Sequence, residues 1–139
     1  MYEYEWTCRW DHVDPANFAY YPELINACHQ AGDAFLEEIG WAYWDIPQDP
    51  GIHFPLVEVG FDFNAPVMAS DRVVISVDPN PGTKSLRFEF TAKKADSGDV
   101  VFTGFEQHVC TTSEHPIEST EIPDAMREAL APYVTEDSA

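Results

Sequence analysis

The sequence predicts an α+β domain in which one long helix faces about five antiparallel strands. Three observations carry that prediction. The 139 residues are 45% hydrophobic and 14% aromatic, enough for a single domain over residues 1–139 with a real core. A helical period appears early in the chain, over a segment rich in small residues. Period-two alternation occurs once before that helix and four times in succession after it.

Tyr2, Tyr4, Trp6, Cys8 and Trp10 alternate with Glu3, Glu5, Thr7 and Arg9, as in a half-buried strand. Residues 11–21 read as a loop containing Asp14-Pro15. Pro22 suits a first helical turn and Glu23 suits its dipole. Leu24, Cys28, Ala31, Phe35 and Ile39 follow at helical spacing, opposite Asn26, Gln30, Asp33 and Glu37, and Gly40 stands where the helix should stop. Ala27, Cys28, Ala31, Gly32 and Ala34 make this helix slim, which suits a curved sheet wrapped around it. Residues 41–53 hold Pro47, Pro50 and Gly51 and read as an irregular connection.

Strands follow. Val57, Val59, Phe61 and Phe63 alternate with Glu58, Gly60, Asp62 and Asn64, and Val73, Ile75 and Val77 with Arg72, Ser76 and Asp78. Asp78-Pro79-Asn80-Pro81-Gly82 reads as a turn. Leu86, Phe88, Phe90 and Ala92 form the next inward face, Asp96-Ser97-Gly98 turns again, and residues 100–111 make a long strand. The aromatics Phe61, Phe63, Phe88 and Phe90 are expected in the core. Pro116 and Pro123 bracket a loop before a short helix over residues 124–130. Open sheet edges favour a homodimer or a larger homo-oligomer such as a homotetramer.

Charge narrows the partners. The chain has 25 Asp and Glu against 7 Lys and Arg, a formal net charge of −18. Nucleic acid and anionic membrane surfaces repel such a skin, so neither is an expected partner. Its self-repulsion is screened at molar salt, where the Debye length is ~3 Å. The expectation is a halophilic, cytoplasmic protein. The acidic N-terminal run has no basic, apolar leader character. Cys8, Cys28 and Cys110 show no CxxC spacing, and reduced thiols without a metal site are the expectation.

The candidate chemistry lies in Trp10-Asp11-His12-Val13-Asp14-Pro15-Ala16-Asn17-Phe18-Ala19-Tyr20-Tyr21-Pro22. It brings a carboxylate to within a few residues of a helix N-terminus, whose free N–H groups stabilise an oxyanion. Such a carboxylate can attack a carbonyl or activate water. An Asp before Pro is also an ordinary turn former.

The pattern Trp-Asp-x-x-Asp-Pro-Ala-x-x-x-x-Tyr-Pro at residues 10–22 resembles hotdog-fold acyl-CoA thioesterases, in particular the 4-hydroxybenzoyl-CoA thioesterase-like branch. The resemblance extends through the helix ending at Gly40, residues 55–63, Ala65-Pro66, Asp71, Gly82-Thr83-Lys84-Ser85 with Phe88, His108-Val109-Cys110 and Ile122-Pro123. It implies a hotdog fold with one long central helix wrapped by a five-stranded antiparallel sheet. Asp14 takes the place of the catalytic nucleophile or general base, and Tyr21 that of the residue whose backbone N–H polarises the thioester carbonyl. Asp11 stands at the strand-loop boundary as a structural residue. Where the family usually has Gly, this chain has Asn17, the non-glycine residue best able to adopt positive φ.

Further candidates are weighed against plain alternatives. His29 and Asp33, four apart on the helix, either line an acyl pocket or form a surface pair. Lys84, followed by Ser85, suits the phosphates of coenzyme A or is a solvated turn lysine. His12 is a loop histidine, and His53, His108 and His115 lack metal-ligand spacing. The first functional reading is hydrolysis of an acyl-CoA to free acid and CoA, with no metal or redox cofactor and coenzyme A as part of the substrate. The second is a dimer that binds or senses acyl-CoA without turnover.

Overall fold

The computed structural model describes residues 1–135. Strand β1 (Tyr2–Thr7) is followed by helix α1 (Tyr21–Glu38), the short β2 (Ile52–His53), then β3 (Leu56–Phe63), β4 (Arg72–Pro81), β5 (Ser85–Lys94), β6 (Val100–Val109), the short β7 (Thr111–Thr112) and helix α2 (Asp124–Leu130). Five strands form an antiparallel sheet in the order β1-β4-β5-β6-β3, and β2 pairs with β7 in a separate ribbon. The five-stranded sheet and 18-residue helix match the expected α+β class. Rather than a single helix, two accompany the sheet: α1 packs against β1 and β4, and the short α2 also meets β4.

The slim face of α1 explains the packing. Leu24, Ala27, Cys28, Ala31, Gly32, Phe35 and Leu36 are its buried residues. A Cβ at Gly32 would stand 3.1 Å from the Phe88 ring, so glycine lets helix and sheet approach closely. Phe35 meets Phe88 edge-on at 5.9 Å between ring centres and Tyr133 at 4.9 Å. The inward faces of β4 and β5, Val73, Ile75, Val77, Leu86, Phe88, Phe90 and Ala92, complete the core. Gly40, at φ 88, closes α1 as expected: Gly40 N–H donates to Glu37 O at 3.1 Å and Trp41 N–H to Leu36 O at 2.8 Å. These bonds satisfy carbonyls the helix leaves free.

Three expectations are corrected. Trp10 is not on the inward face of the first strand: β1 ends at Thr7, a 3-10 turn spans Trp10–His12, and Trp10 is 79% exposed. Residues 78–82 are not a turn either. Strand β4 runs on to Pro81, with Pro79 opposite Phe88 and Pro81 opposite Leu86. Strand β1 reaches no further than Val77, so these prolines sit where one edge of β4 has no partner needing an N–H donor. Finally, β3 is an edge strand. Phe63 is 46% exposed, Val57 and Val59 are also exposed, and Phe61 is only partly buried, whereas Phe88 and Phe90 are core. Phe61 pairs with Gly104 and Phe105 with Gly60. Each glycine leaves room for the opposite ring, which a Cβ would strike.

Candidate active site

The loop entering α1 is closed by its own backbone. Tyr20 N–H donates to His12 O at 2.8 Å, Val13 bridges Ala19, and Asp14 N–H donates to Phe18 O at 2.8 Å. Asn17 sits at the turn with φ 70, the left-handed conformation expected of it, and its N–H donates to Asp14 O at 2.9 Å. The half-buried Asp14 carboxylate reaches into this turn. Its Oδ1 accepts N–H bonds from Ala16 at 2.9 Å and Phe18 at 3.1 Å. Oδ2 has no hydrogen bond among the described residues. One oxygen therefore builds the turn, the ordinary role of an Asp before Pro, and the other is not used by it.

Helix α1 begins one residue past this closed loop. Tyr20 is its N-cap, no side chain caps it, and Pro22 occupies the first turn. Glu23 N–H turns back to Tyr20 O at 2.8 Å. The Tyr21 N–H has no hydrogen bond among the described residues, so a free donor stands at the positive end of the helix dipole. Tyr21, Phe18, Leu24, Phe63 and Val67 help to line an adjoining cavity of about 430 Å³.

His12 is packed rather than solvated. Its Nδ1 accepts the Arg9 N–H at 2.9 Å, its ring lies 4.9 Å from Trp6, and its Nε2 is 3.9 Å from Glu23 and 4.0 Å from the exposed Asp11. It stabilises the turn before Asp14, with Asp11 at its outer rim.

His29 and Asp33 lie roughly 12 Å and more along α1 from Tyr21, at 1.5 Å per residue. They line a second cavity, about 470 Å³, with Tyr43, Phe54, Leu56 and His108. They are not a mutual surface pair. His29 Nδ1 instead lies 3.2 Å from Oε2 of Glu106, a carboxylate 2% exposed. Glu106 Oε1 faces His108 Nε2 at 3.6 Å, and His108 Nδ1 donates to Phe54 O at 3.0 Å. The Glu106 hydrogen bond raises the His29 pKa above the ordinary histidine value, against the opposing effect of burial. Burial pushes Glu106 up, but the facing imidazoles of His108 and His29 outweigh it and leave the carboxyl below its ordinary range. The sequence reading missed Glu106. A signal existed: Phe102, Gly104, Glu106 and His108 share the inward parity of β6, so an acid and a histidine occupy a core face.

Lys84 and Ser85 lie elsewhere. The β4-β5 hairpin carries them beyond Pro81, whereas the Asp14 loop reaches the start of β4 through Cys8 N–H to Asp71 O at 2.9 Å. At ~3.3 Å per residue the strand between spans about 30 Å, so one chain does not bring Lys84 to Asp14. The turn is held by Arg127, which donates to the carbonyls of Gly82 and Thr83, while Lys84 remains exposed. Among the described residues no group of His, Cys, Asp or Glu is disposed to hold a metal ion, and no helix is long and apolar enough to cross a membrane. Cys8, Cys28 and Cys110 are buried free thiols.

A family model described as the thioesterase-like superfamily matches residues 8–130. Among curated relatives, the 1,4-dihydroxy-2-naphthoyl-CoA hydrolase of Nostoc punctiforme is 29% identical over 110 residues, covering 78% of this chain and 73% of that protein. The corresponding enzyme of Thermosynechococcus vestitus is 27% identical over 125 residues, covering 89% and 84%. Among solved structures, a 1,4-dihydroxy-2-naphthoyl-CoA thioesterase from Synechocystis superposes with a TM-score of 0.86 at 20% identity, covering 94% and 95%. A gentisyl-coenzyme A thioesterase does so with a TM-score of 0.78 at 27% identity, covering 93% and 98%.

Proposed function

The chain belongs to the thioesterase-like superfamily, and from that premise we propose that it hydrolyses an acyl-CoA thioester through Asp14 and the Tyr21 N–H. The observation that carries this reading is the loop of residues 12–20, which holds Asp14 with one oxygen unsatisfied and leads directly into an unsatisfied helix N-terminus. The thioester carbonyl accepts the Tyr21 N–H. Asp14 Oδ2 attacks the carbonyl carbon, the C–S bond breaks, and CoA leaves as the thiolate. Water then cleaves the resulting anhydride to give the acid and restore Asp14. In the alternative route Asp14 takes a proton from water, which attacks directly. In either route the negative charge grows on the carbonyl oxygen, where an oriented N–H and helix dipole contribute most. Loss of one such donor commonly costs about 10²–10³ in rate.

The acyl group we assign is aromatic and bears hydroxyls, bound in the cavity of His29 and Asp33, while Lys84 and Ser85 receive the phosphates of CoA. The two named relatives hydrolyse hydroxylated aromatic thioesters by their descriptions, which agrees with polar groups in this cavity. The reading extends to assembly. Leu56 lines the His29 cavity and Phe63 the Tyr21 cavity, at opposite ends of the exposed edge strand β3. Antiparallel β3-to-β3 pairing of two chains would set Leu56 of one near Phe63 of the other. It would cover the apolar edge and join each Tyr21 cavity to a partner's His29 cavity. The homodimer, or a homotetramer built from it, is thus part of the proposed site.

The test is CoA release from a panel of hydroxyaryl, aryl and aliphatic acyl-CoAs at high salt, with the mass measured by light scattering. Release that favours hydroxyaryl substrates, from a species of at least twice 15.7 kDa, is the expected result. Tight binding without release would support an acyl-CoA-binding module instead, and a monomer would remove the joined site.

A further inference from the structure

Four buried polar atoms gather around the His29 cavity without a hydrogen-bond partner: Asp33 Oδ1, Tyr43 Oη, Glu106 Oε1 and His108 Nε2. Only one other such atom occurs among the described residues, Asn17 Oδ1. Buried polar atoms left unpaired are costly; Asp33, Tyr43 and His108 line the cavity and Glu106 lies behind it, so the wall has hydrogen-bonding capacity that the chain itself does not fill.

The protonation pattern of the inner wall follows from its partners. Phe54 O only accepts, so His108 Nδ1 carries a hydrogen. In the neutral ring Nε2 is then a lone pair, and it faces Glu106 Oε1, another acceptor, at 3.6 Å. A proton between them removes the conflict. On the other side of the same carboxylate, Oε2 accepts from His29 Nδ1 at 3.2 Å. The His29 ring is thereby fixed, with Nε2 turned away from Glu106 on a half-exposed side chain. Tyr43 stacks parallel to His29 at 6.2 Å between ring centres and lies 6.1 Å from His108. The titratable groups facing Glu106 are Cys28 and His29 from α1, Tyr43 from the connection after α1, and His108 from β6, while Asp33 faces His29 and Tyr43. Its strand neighbours Val59 and Phe88 carry none.

We propose that Glu106 is a positioning residue that fixes His29 as a proton donor toward the acyl group and so selects thioesters whose acyl moiety carries an ionised or strongly polarised ring oxygen. The inference rests on the hydrolase reading and deepens it. Glu106 itself touches no substrate. Its work is to hold His29 in one orientation, with Nδ1 bonded to the carboxylate and Nε2 left to donate. A hydroxyl or phenolate oxygen entering the cavity meets His29 Nε2–H and the Tyr43 hydroxyl, and an unsubstituted ring leaves both unpaired. The raised His29 pKa agrees with this role.

The test uses Glu106→Gln, whose amide keeps the volume, accepts from His29 and donates to His108 Nε2. Steady-state kinetics are run on hydroxybenzoyl-CoA and benzoyl-CoA across pH, and the histidine ring protons are titrated by NMR in the same samples. In the parent, the preference for the hydroxylated substrate falls as pH rises through the His29 titration. In Glu106→Gln that fall moves to lower pH, the NMR titration of His29 moves with it, and the preference drops about tenfold, through KM rather than kcat. His29→Phe, which keeps a flat ring but has no donor and leaves Glu106 in place, should lose the same preference and tests the proposal if the core of the first variant fails to fold. Equal loss on both substrates, or an unmoved His29 titration, overturns the role assigned to Glu106 while leaving the hydrolase reading intact. A parent that cleaves no thioester overturns the hydrolase reading and this inference with it.

Discussion

The Asp14 loop and the His29 cavity are built in opposite ways. The loop draws on residues 12–20, and most of its hydrogen bonds run between residues of the loop itself, with Ala19 N–H to Val67 O tying it to the segment after β3. The cavity draws on α1, the segment after it, β3 and β6, and its polar atoms remain largely unsatisfied. A device meant to hold one carboxylate still is best made from local hydrogen bonds, which form together and tolerate no alternative. A device meant to recognise a ligand keeps its hydrogen-bonding capacity open until the ligand arrives. In the proposed function the first supplies rate and the second supplies choice.

The sharpest way to break that division is Asp14→Asn. The amide keeps the two bonds to Ala16 and Phe18, so circular dichroism should be unchanged. The rate of CoA release should fall ~10²–10⁴-fold, and by more if Asp14 is the nucleophile. A folded Asp14→Asn that hydrolyses as fast as the parent would assign the rate to another group.

Asn17 tests whether the loop's rigidity matters. Its Oδ1 is buried without a partner, so the backbone at φ 70 rather than the amide is what the loop uses. Asn17→Ala should lose about 1 kcal/mol in urea unfolding, with CoA release reduced and hydroxyaryl preference retained. Asn17→Gly should be as stable as the parent or more so. A preference that changes with either variant would couple the two regions.

Acid and base act on the cavity through His29 and Glu106. His29 is raised in the fold, so its stabilising contribution is complete below the ordinary histidine value and fades as pH rises through the raised one. Glu106 is lowered, so its contribution is complete above the ordinary glutamate value and fades as pH falls through the lowered one. Urea unfolding should therefore show a plateau between these limits. Glu106→Gln should flatten both shoulders; unchanged shoulders would place the pH dependence elsewhere.

Salt should separate the two regions least. Screening relieves the acidic skin carried by both, so thermal midpoints should climb from low to molar KCl with little change in substrate preference. A flat or falling series would refute the halophilic expectation.

What was legible in the sequence follows the same line between local and distant. Pro22 and Gly40 mark the ends of α1 because caps act within a turn of the residue concerned. Asp14 and Asn17 were readable because their loop closes on itself. Pro79 and Pro81 misled because their tolerance depends on where β1 stops, which β4 does not encode. Phe63 was assigned to the core because period two gives the face of a strand and not what covers it. Glu106 escaped because its meaning needs helix α1, which delivers His29 from 77 positions away.

Pro79 and Pro81 also bear on how far association can go. The sheet has two outer edges, and they are unequal. On the β1 side, β4 projects past Val77 as a stretch with proline nitrogens, and β1 itself alternates Glu3 and Glu5 with aromatics. Neither offers an uninterrupted apolar template to an incoming strand. Strand β3 has no proline and exposes Leu56, Val57, Val59 and Phe63 along its free edge. A particle with one adhesive edge forms a closed pair and then stops, whereas two such edges would propagate a fibre. In the proposed assembly the misread prolines would act as chain terminators, ending growth through the sheet edges at the pair and leaving any larger particle to form through other faces.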